Sequence, residues 1–183
     1  MASRYDDELW DLVPEDPGPP PAHLVSFVRG LGRVGRALDV GCGDGRLTAE
    51  LDAAELTAAD VSAVALERAR RRLTKARLLE LEPDAPFPLD DAAFDLVLCA
   101  ETIEHVRDVQ LLLSEIRRVL RPGGRLALTT PAHLPVGPRP NPLSPHLRQF
   151  TRRSLSGLLE ELGFEAGRPG RRAGTLLVVA NRP

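Results

Sequence analysis

Two carboxylates and three glycines stand where short apolar segments of the chain end. The stretch "ALDVGCGDG" contains Asp39 within its apolar part, followed by Gly41, Gly43 and Gly45 at alternate positions. Asp60 ends the next apolar segment, "LTAAD". An unpaired carboxylate is costly inside an apolar strand, so Asp39 is expected to face a cation or backbone N–H groups. These residue types therefore indicate a site for a ligand that carries positive charge.

The spacing of the glycines narrows the class of ligand. Dinucleotide sites use G-x-G-x-x-G, and here Arg46 occupies the position of the third glycine. No Gly-Lys-Ser/Thr follows, which disfavours a phosphate-binding loop. Asp60 lies 19 residues beyond Gly41, where an acidic side chain can accept hydrogen bonds from ribose hydroxyls. A cationic amino acid group near the glycines and a ribose near Asp60 describe S-adenosylmethionine.

Strands that alternate with helices are predicted to position these residues. The predicted strands are 37–40, 56–60, 76–81, 94–100, 125–131 and a last segment within "GTLLVVANR". The predicted helices are 3–13, 22–31, 45–52, 63–74, 109–120 and 151–164. Such alternation indicates βαβ units, a mostly parallel sheet and helices on both of its faces. Ligands of such sheets bind beyond the carboxyl ends of the strands, where the glycine stretch and Asp60 lie.

A proline-rich segment divides the chain into two parts. "PEDPGPPP" (14–21) contains five prolines in eight residues and predicts a stiff, extended connector. Residues 1–21 are therefore predicted to form an N-terminal helix with its connector, and residues 22–183 the main domain. Tyr5 and Trp10 lie on the apolar side of the N-terminal helix. We hypothesise that this helix folds over the ligand as a lid; the alternative is a terminal helix packed elsewhere on the domain.

Composition places the chain among globular proteins and argues against several other classes. Its 183 residues are 43% hydrophobic and carry a net charge of −2, which suits one globular domain. Cys42 and Cys99 form no CxxC pair, so neither a disulfide framework nor a zinc site is indicated by the cysteines. Near-neutral charge and 4% aromatic content do not indicate a nucleic-acid partner. No secretory signal or membrane-length apolar run is recognised, and the predicted location is the cytoplasm.

Five sequence blocks together resemble the class I S-adenosylmethionine-dependent methyltransferases. The blocks are "LDVGCGDG", "AAD", "FDLVLCAETIEHV", "EIRRVLRPGGRLALTTP" and "LRQFTRRSLSGLLEELGF", and the resemblance covers residues 22–183. It implies an α/β fold with a doubly wound, seven-stranded, mostly parallel sheet, a Rossmann-like methyltransferase fold, whose last strand is antiparallel. The terminal hairpin is then expected at about 164–169 and 175–181.

The resemblance also implies which residues bind S-adenosylmethionine, the predicted cofactor. The glycine stretch would surround its methionine part and Asp60 would bind its ribose, while residues near Leu81 and Glu82 would flank its adenine. The predicted cofactor-binding set is Asp39, Gly41, Gly43, Gly45, Asp60, Val61, Leu81, Glu82 and Ala100. Relatives often have Gly-Asp-Ala after the third strand, where this chain has "LEPDAPFPL". Whether Glu82 or Asp84 meets the adenine amino group therefore stays open.

Transfer of a methyl group to oxygen requires a group that takes the acceptor's proton, and histidine is the usual candidate. His105 and His146 are the predicted catalytic residues, because they follow the fourth strand and the proline-rich loop, on the acceptor side of the sheet. His133, after the fifth strand, could reach the same side. The predicted function is methyl transfer from S-adenosylmethionine to a small-molecule acceptor, with oxygen favoured over nitrogen or carbon.

The run "ETIEHV" leaves a second function open. If residues 101–105 form one helical turn, their acidic and histidine side chains share a face. The candidate ligands of a divalent ion are then Glu101, Glu104, His105 and His146. This pattern resembles the small-RNA 3′-end 2′-O-methyltransferases, whereas "EHV" followed by "RVLRPGG" resembles quinone-precursor O-methyltransferases, and the predicted site includes no metal ligand. A third alternative is a module that binds S-adenosylmethionine without turnover, and the oligomeric state is not predicted.

Overall fold

The computed structural model describes residues 2–132 and 146–183, with side chains from residue 6 onward. Its helices are α1 (Ala2–Leu12), α2 (Ala22–Arg29), α3 (Ala63–Arg72), α4 (Val109–Val119) and α5 (Arg152–Glu161). Its strands are β1 (Val34–Val40), β2 (Ala53–Asp60), β3 (Arg77–Glu80), β4 (Phe94–Ala100), β5 (Leu120–Pro131), β6 (Glu165–Ala166), β7 (Gly170–Arg172) and β8 (Thr175–Asn181). Within this part of the chain, no helix has the length and apolar character needed to cross a membrane.

One sheet contains the eight strands of the described residues. Their order is β3-β2-β1-β4-β5-β8-β6, and β7 also pairs with β8. Strands β1 to β5 pair in parallel, whereas β8 is antiparallel to β5, β6 and β7. This confirms the predicted doubly wound, mostly parallel sheet with an antiparallel last strand. The sheet has eight strands rather than seven because the predicted strand 164–169 is present only as β6, and β7 forms beyond Pro169, which has no N–H to donate.

Strand β4 lies in the middle of the sheet and is buried on both faces. Leu96 and Leu98 belong to one apolar cluster, which also contains Val28 of α2. Val97 and Cys99 belong to the larger cluster on the other face, beneath α4 and α5. Successive side chains of a strand point to opposite faces, so a strand covered on both sides needs an almost unbroken apolar run. The segment "FDLVLCA" supplies that run.

The connection after β1 corrects one prediction. The sequence predicts a helix over 45–52, but only Thr48–Glu50 form a helical turn, which is of the 3₁₀ type. Strand β2 begins already at Ala53, and the N–H of Val34 donates to the carbonyl of Asp52 at 2.9 Å. Too few residues remain between the glycines and β2 for an α-helix. The tight connection directs the Thr48 hydroxyl at Asp39, to which it donates at 2.6 Å.

Two helices near the strand ends begin at side-chain caps. The Ser62 hydroxyl accepts a hydrogen bond from the N–H of Ala65 at 3.1 Å, which confirms the predicted start of α3. Thr151 and Ser154 exchange side-chain to backbone bonds at 3.1 and 2.9 Å and form a capping box at the start of α5. Caps satisfy N–H groups that have no partner within the helix. Both helices are therefore fixed at the end that faces the carboxyl edge of the parallel strands.

Candidate cofactor and acceptor site

Asp39 and Asp60 lie on neighbouring strands at the carboxyl edge of the sheet. Asp39 is paired with Ala58 in the parallel register, so Asp60 lies two residues further along β2. Asp39 is 2% exposed and Asp60 7% exposed. The pKa of Asp39 is raised to about 7, chiefly by burial; the hydrogen bond from Thr48 lowers it, and the charge of Asp60 contributes to the increase. Two buried carboxylates thus converge where a cationic ligand would relieve the cost of their charge.

Backbone N–H groups bind the Asp60 carboxylate. Its two oxygens accept from the N–H of Gly43 at 2.8 Å and from the N–H of Ser62 at 3.0 Å. Burial raises the pKa of Asp60, and these backbone hydrogen bonds oppose that increase. The side chain is therefore held at the junction of the glycine loop and the start of α3, the position from which the resemblance assigns it to ribose.

The three predicted glycines all have positive φ angles, of 76°, 54° and 78° for Gly41, Gly43 and Gly45. Each also has a protein side chain where a Cβ atom would stand. The distances from that Cβ position are 2.4 Å to Thr102 for Gly41, 2.7 Å to Trp10 for Gly43 and 2.8 Å to Leu73 for Gly45. Glycine is therefore needed both for the left-handed backbone and for close contact with three separate parts of the chain.

The residues predicted to flank adenine differ in their exposure. Leu81 is 5% exposed, and its N–H donates to the carbonyl of Asp60 at 2.9 Å. Val61 is half-buried beside it, whereas Glu82 and Asp84 are both exposed. Ala100, at the end of β4, is half-buried. The structure thus brings Leu81 and Val61 to the Asp60 end of the sheet and leaves the carboxylates of Glu82 and Asp84 at the surface.

Helix α1 packs beside the glycine loop and the start of α3. Asp7 accepts from the Ser62 hydroxyl at 2.6 Å and from the N–H of Val64 at 3.2 Å. The Trp10 ring contacts Gly43, and the Arg68 guanidinium lies 5.8 Å from the centre of that ring. Arg68 also donates to the carbonyl of Val13 at 2.9 Å. Helix periodicity predicts Trp10 as a contact, but no local signal identifies Asp7; the side chain of Tyr5 lies outside the described residues.

The connector after α1 is also bonded to the glycine loop. Arg46 donates to the carbonyl of Gly18 at 2.6 Å and forms an ion pair with Asp44, with a closest N–O distance of 2.9 Å. The charge of Asp6 contributes to the raised pKa of Asp60. The N-terminal segment therefore extends across the edge of the site from Asp60 to the outer side of the loop.

The acceptor side contains four of the residues singled out by the "ETIEHV" run and its later histidine. Residues 101–105 do not form the helical turn considered above, because Glu101 has a left-handed backbone with φ 52°. Its carboxylate accepts from the Thr129 hydroxyl at 2.9 Å. Glu104 is 1% exposed. Burial raises the pKa of Glu104 to about 7, with a further contribution from the charge of Glu101.

The structure brings His105 and His146 together, with ring centres 5.0 Å apart and an edge-on angle of 67°. Both side chains are exposed, and a ligand atom of each lies within 4.8 Å of the other and of a Glu104 oxygen. Glu101 is outside this group. His23 lies elsewhere and shares a hydrogen bond with Thr175 at 3.2 Å. His133 falls outside the described residues.

Comparison with known proteins agrees with the fold. Residues 38–128 match the family model described as a methyltransferase domain. Over 140 residues the chain is 37% identical to a Mycolicibacterium smegmatis protein whose name assigns it to the S-adenosylmethionine-dependent methyltransferases, covering 70% of this chain and 51% of that protein. Over 145 residues it is 34% identical to the malonyl-[acyl-carrier protein] O-methyltransferase of Enterobacter lignolyticus, covering 73% and 57%. The chain thus spans only about half the length of these relatives.

The solved structures show the same fold. A SAM-dependent methyltransferase from Aquifex aeolicus superposes with a TM-score of 0.73 at 20% identity, covering 96% of this chain and 97% of that one. The sheet order and the loop of positive-φ glycines are those of a Rossmann-like α/β protein, a class in which ligands bind beyond the carboxyl edge of the strands. The chain belongs to the class I S-adenosylmethionine-dependent methyltransferases.

Proposed function

We propose that this protein transfers a methyl group from S-adenosylmethionine to an oxygen atom of a small-molecule acceptor. The observation that carries the proposal is the pair of buried carboxylates, Asp39 and Asp60, beside a loop of three positive-φ glycines. S-adenosylmethionine fits this site because its ammonium and sulfonium charges would compensate carboxylates that burial otherwise disfavours. Its adenosine carries ribose hydroxyls, from which a carboxylate at the end of β2 can accept hydrogen bonds.

Each part of the cofactor site has a distinct role in this proposal. Bound there, S-adenosylmethionine supplies a methyl group on a positively charged sulfur. Asp39 holds the amino acid part by charge, and Asp60 accepts hydrogen bonds from the ribose. The glycines allow the loop backbone to approach the ligand closely, while the Trp10 ring covers Gly43 on the side of α1. Leu81 and Val61 provide apolar contact for the adenine. The protein contributes chiefly by orienting the methyl donor toward the acceptor.

An oxygen acceptor is supported by the relatives and by the histidine pair. One relative is the malonyl-[acyl-carrier protein] O-methyltransferase already described, and another is the 27-O-demethylrifamycin SV methyltransferase of Amycolatopsis mediterranei, 37% identical over 101 residues with 51% of this chain and 37% of that protein covered. A hydroxyl or carboxyl acceptor must lose a proton. His105 and His146 are the side chains we assign to promote that loss, directly as bases or through a bound ion.

A product assay tests this function. We would incubate the protein with methyl-labelled cofactor and fractions of a bacterial extract, then identify labelled products by mass spectrometry. We expect a labelled O-methyl compound of low molecular mass, with formation strongly reduced by His146→Ala and unaffected by His23→Ala. Tight cofactor binding with no labelled product in any fraction would favour a binding module without turnover. Label found only in RNA would favour the RNA 2′-O-methyltransferase alternative.

We further propose that residues 1–21 act as a lid over the cofactor. The contacts that support this are the bonds of Asp7 to the start of α3 and the position of Trp10 on Gly43. These contacts join the lid to the two segments that carry the Asp60 backbone donors. Opening the lid would therefore release the loop and the start of α3 from one of their partners, and the cofactor would exchange more quickly.

The lid is tested by Asp7→Asn, with Asp11→Asn as the matched control on the exposed side of α1. Asp7→Asn removes a charge-assisted hydrogen bond at a helix start, which is expected to accelerate cofactor dissociation about 5- to 30-fold. Stopped-flow fluorescence of Trp10, the single tryptophan, follows the exchange. Identical dissociation rates for the two variants and the wild type would contradict the lid.

A further inference from the structure

A cavity of about 710 Å³ opens between the start of α4 and the start of α5. Its apolar lining consists of Val109, Phe150 and Leu158, of which the first two are each 5% exposed. Binding sites for small molecules commonly have volumes of about 300–1,000 Å³ and an apolar lining with a few polar groups. The cavity therefore has the size and the lining of a small-molecule site, and neither Asp39 nor Asp60 belongs to it.

The cavity lies beside the histidine pair of the acceptor side. Arg107 and Arg148, which line it, each follow one of the two histidines by two residues. The backbone joins the two segments, because the Glu104 carbonyl accepts from the N–H groups of Leu147 and Arg148 at 2.8 and 3.3 Å. A molecule held in the cavity can therefore extend to both imidazoles.

The Arg148 guanidinium is held by main-chain oxygens rather than by a carboxylate. It donates to the carbonyls of Val106 and Arg107, to the latter at 2.6 Å. It forms no ion pair with any residue in the described part of the chain. A guanidinium has five N–H donors in a planar fork, so three remain for a ligand. Arg148 is thus a fixed positive charge at the wall of an apolar cavity.

The other charged groups of the cavity have partners or are few. Two carboxylates line it, and Asp108 accepts from a backbone N–H at 2.9 Å and caps α4. The second carboxylate is that of Asp84, after β3. Arg107 has an acidic neighbour in α1, since burial raises the pKa of Asp6 and the charge of Arg107 acts against that increase. Arg148 is therefore the arginine of this cavity that we assign to a ligand.

Two more arginines begin α5, at a position that is electrostatically unfavourable. Arg152 and Arg153 are the first two residues of this helix, which has no acidic residue in its first turn. The N-terminus of a helix carries partial positive charge, so cations there are disfavoured. Neither side chain forms an ion pair with a described residue, and both precede Ser154, which lines the cavity. An anion bound in the cavity would compensate this charge.

The surrounding sequence supplies no acidic residue to balance these arginines. Residues 116–159 contain eight arginines and no aspartate or glutamate. Four of the eight bond to protein carboxylates or carbonyls near the end of α4 and the start of β5: Arg117, Arg118, Arg121 and Arg125. Arg139 lies outside the described residues. The other three are those at the cavity, and positive charge is therefore concentrated there.

We propose that this cavity binds a carboxylate or phosphate group of the methyl acceptor, with Arg148 as the binding residue. Guanidinium groups bind both anions through paired hydrogen bonds. Arg152 and Arg153 strengthen the attraction, and the apolar part of the acceptor contacts Phe150 and Leu158. The role as acceptor site rests on the proposed function, whereas anion binding does not. The substrate class is an anionic small molecule with an apolar body.

Binding of small anions to the full chain, without cofactor, tests the proposal. The probes are benzoate, phenyl phosphate and the neutral benzyl alcohol, and binding is followed by ligand-observed NMR. We expect the alcohol to bind at least about tenfold more weakly than the better anion, because hydrogen bonds to charged groups are the stronger ones. The anion with the higher affinity identifies the group, carboxylate or phosphate, for which the cavity is built.

Variants of Arg148 locate the binding, after thermal unfolding has shown that they fold. Arg148→Gln should weaken anion binding about 10- to 100-fold, and Arg148→Lys should weaken it less, because lysine keeps the charge but lacks the fork. Arg33→Gln removes an exposed arginine before β1, at the opposite edge of the sheet, and is the matched control. Equal affinity in Arg148→Gln and Arg33→Gln, or equal binding of the alcohol and the anions, overturns the site.

The double variant Arg152→Gln/Arg153→Gln separates binding from a structural role. It should bind the anions more weakly, while its melting temperature should equal or exceed that of the wild type, because cations are removed from the positive end of α5. Unchanged affinity with a lower melting temperature would show that these arginines serve the structure and contradict their part in the proposal.

The outcome is distinguishable from failure of the proposed function. No methyl transfer is measured in these titrations, so absence of anion binding overturns the cavity site and leaves the methyltransferase proposal standing. In the extract assay, we expect the labelled product to be retained by an anion-exchange resin. A labelled O-methyl product without negative charge would overturn the acceptor role of the cavity, although methyl transfer itself would be confirmed.

Discussion

Buried carboxylates at the ends of two adjacent strands are the residues on which the proposed function depends. Asp39 accepts from Thr48, and Asp60 from two backbone N–H groups, yet burial still raises the pKa of both. Their hydrogen bonds therefore compensate only part of the cost of burying charge. A cationic ligand would compensate the rest of this cost. The free energy lost by burying the two charges in the free protein would therefore be recovered when the ligand binds.

Substitution of Asp60 tests its contact with ribose. Asp60→Asn keeps the shape of the side chain but removes the charge that strengthens its hydrogen bonds, so cofactor affinity should fall on the order of 10- to 100-fold. Isothermal calorimetry measures the change. Asp52→Asn, at an exposed position before β2, is the matched control and should bind as the wild type does. Equal affinities for the two variants would exclude Asp60 from the site.

Asp39 should make cofactor binding depend on pH. Since its pKa is about 7 in the free protein, the carboxylate that binds a cation is depleted below that pH, and affinity should fall up to about tenfold per pH unit. Titrations between pH 5.5 and 8.5 should show this slope in the wild type and a reduced slope in Asp39→Asn. An unchanged slope in the variant would assign the pH dependence to another group.

The same residue should affect stability with the opposite sign. The folded protein keeps a proton on Asp39 up to pH about 7, whereas the unfolded chain releases it near the ordinary value of 3.8. Its contribution to the free energy of unfolding is therefore present below the unfolded pKa and lost as the pH rises to the folded pKa. Urea unfolding of the free protein should show that Asp39→Asn lessens this decline. The cofactor, by contrast, should stabilise the wild type most at high pH.

At the scale of elements, the glycine loop joins the sheet to α1. The backbone N–H of Gly43 donates to Asp60, and the Trp10 ring packs against the α-carbon of Gly43, which has no side chain. The loop can therefore transmit the position of α1 to the carboxylate that is proposed to bind ribose. The loop would therefore be part of the proposed ligand site and also the surface against which the proposed lid packs.

Gly43→Ala tests the contact between the glycine loop and α1. The added Cβ would stand 2.7 Å from Trp10 at a φ of 54°, so α1 must move, and the emission of the single tryptophan should shift to longer wavelength. Gly174→Ala is the matched control, because Gly174 also has positive φ, of 86°, but has no atom within 4 Å of the added Cβ. Both variants should lose about 1–2 kcal/mol from backbone strain. A Trp10 spectrum unchanged in both would contradict the contact.

Element boundaries were predictable where one local signal dominates. The apolar run "FDLVLCA" predicts 94–100, which is the observed span of β4. Strand β5 begins at Leu120 rather than at Arg125, because the backbone of "RPGG" pairs with the chain terminus: Gly123 donates to the Arg182 carbonyl at 2.7 Å. The predicted helix over 45–52 failed because its length was limited by the early start of β2. Both errors arise from partners distant in sequence.

At the scale of the whole molecule, the alternation of apolar and helical segments was sufficient to predict the mostly parallel sheet and the edge at which Asp39, Asp60 and the three glycines lie. The approach of His146 to His105 depends on backbone bonds between residues 104 and 147, which no local pattern encodes. The contact of Trp10 with Gly43 likewise joins segments that lie on either side of the proline-rich connector. Local sequence therefore identified the candidate residues, and tertiary structure determined which of them lie together.

Binding at the strand edge should stabilise the entire domain. A ligand that binds only the folded state at 100 times its dissociation constant adds about 2.7 kcal/mol, which for a chain of this size raises the melting temperature roughly 5–10 °C. Differential scanning fluorimetry with S-adenosylhomocysteine should show this shift in the wild type and a smaller one in Asp60→Asn. A shift of equal size in both would place the ligand elsewhere.

Calorimetric titration of the wild-type protein with S-adenosylhomocysteine, at pH 8 and at two temperatures, tests the central claim most directly. The proposed site predicts one ligand per chain and a negative heat-capacity change, as expected when an apolar nucleoside surface is buried. Heat absent at both temperatures from a protein that unfolds cooperatively would contradict it, because Asp39, Asp60 and the glycine loop would then have no adenosyl ligand to bind.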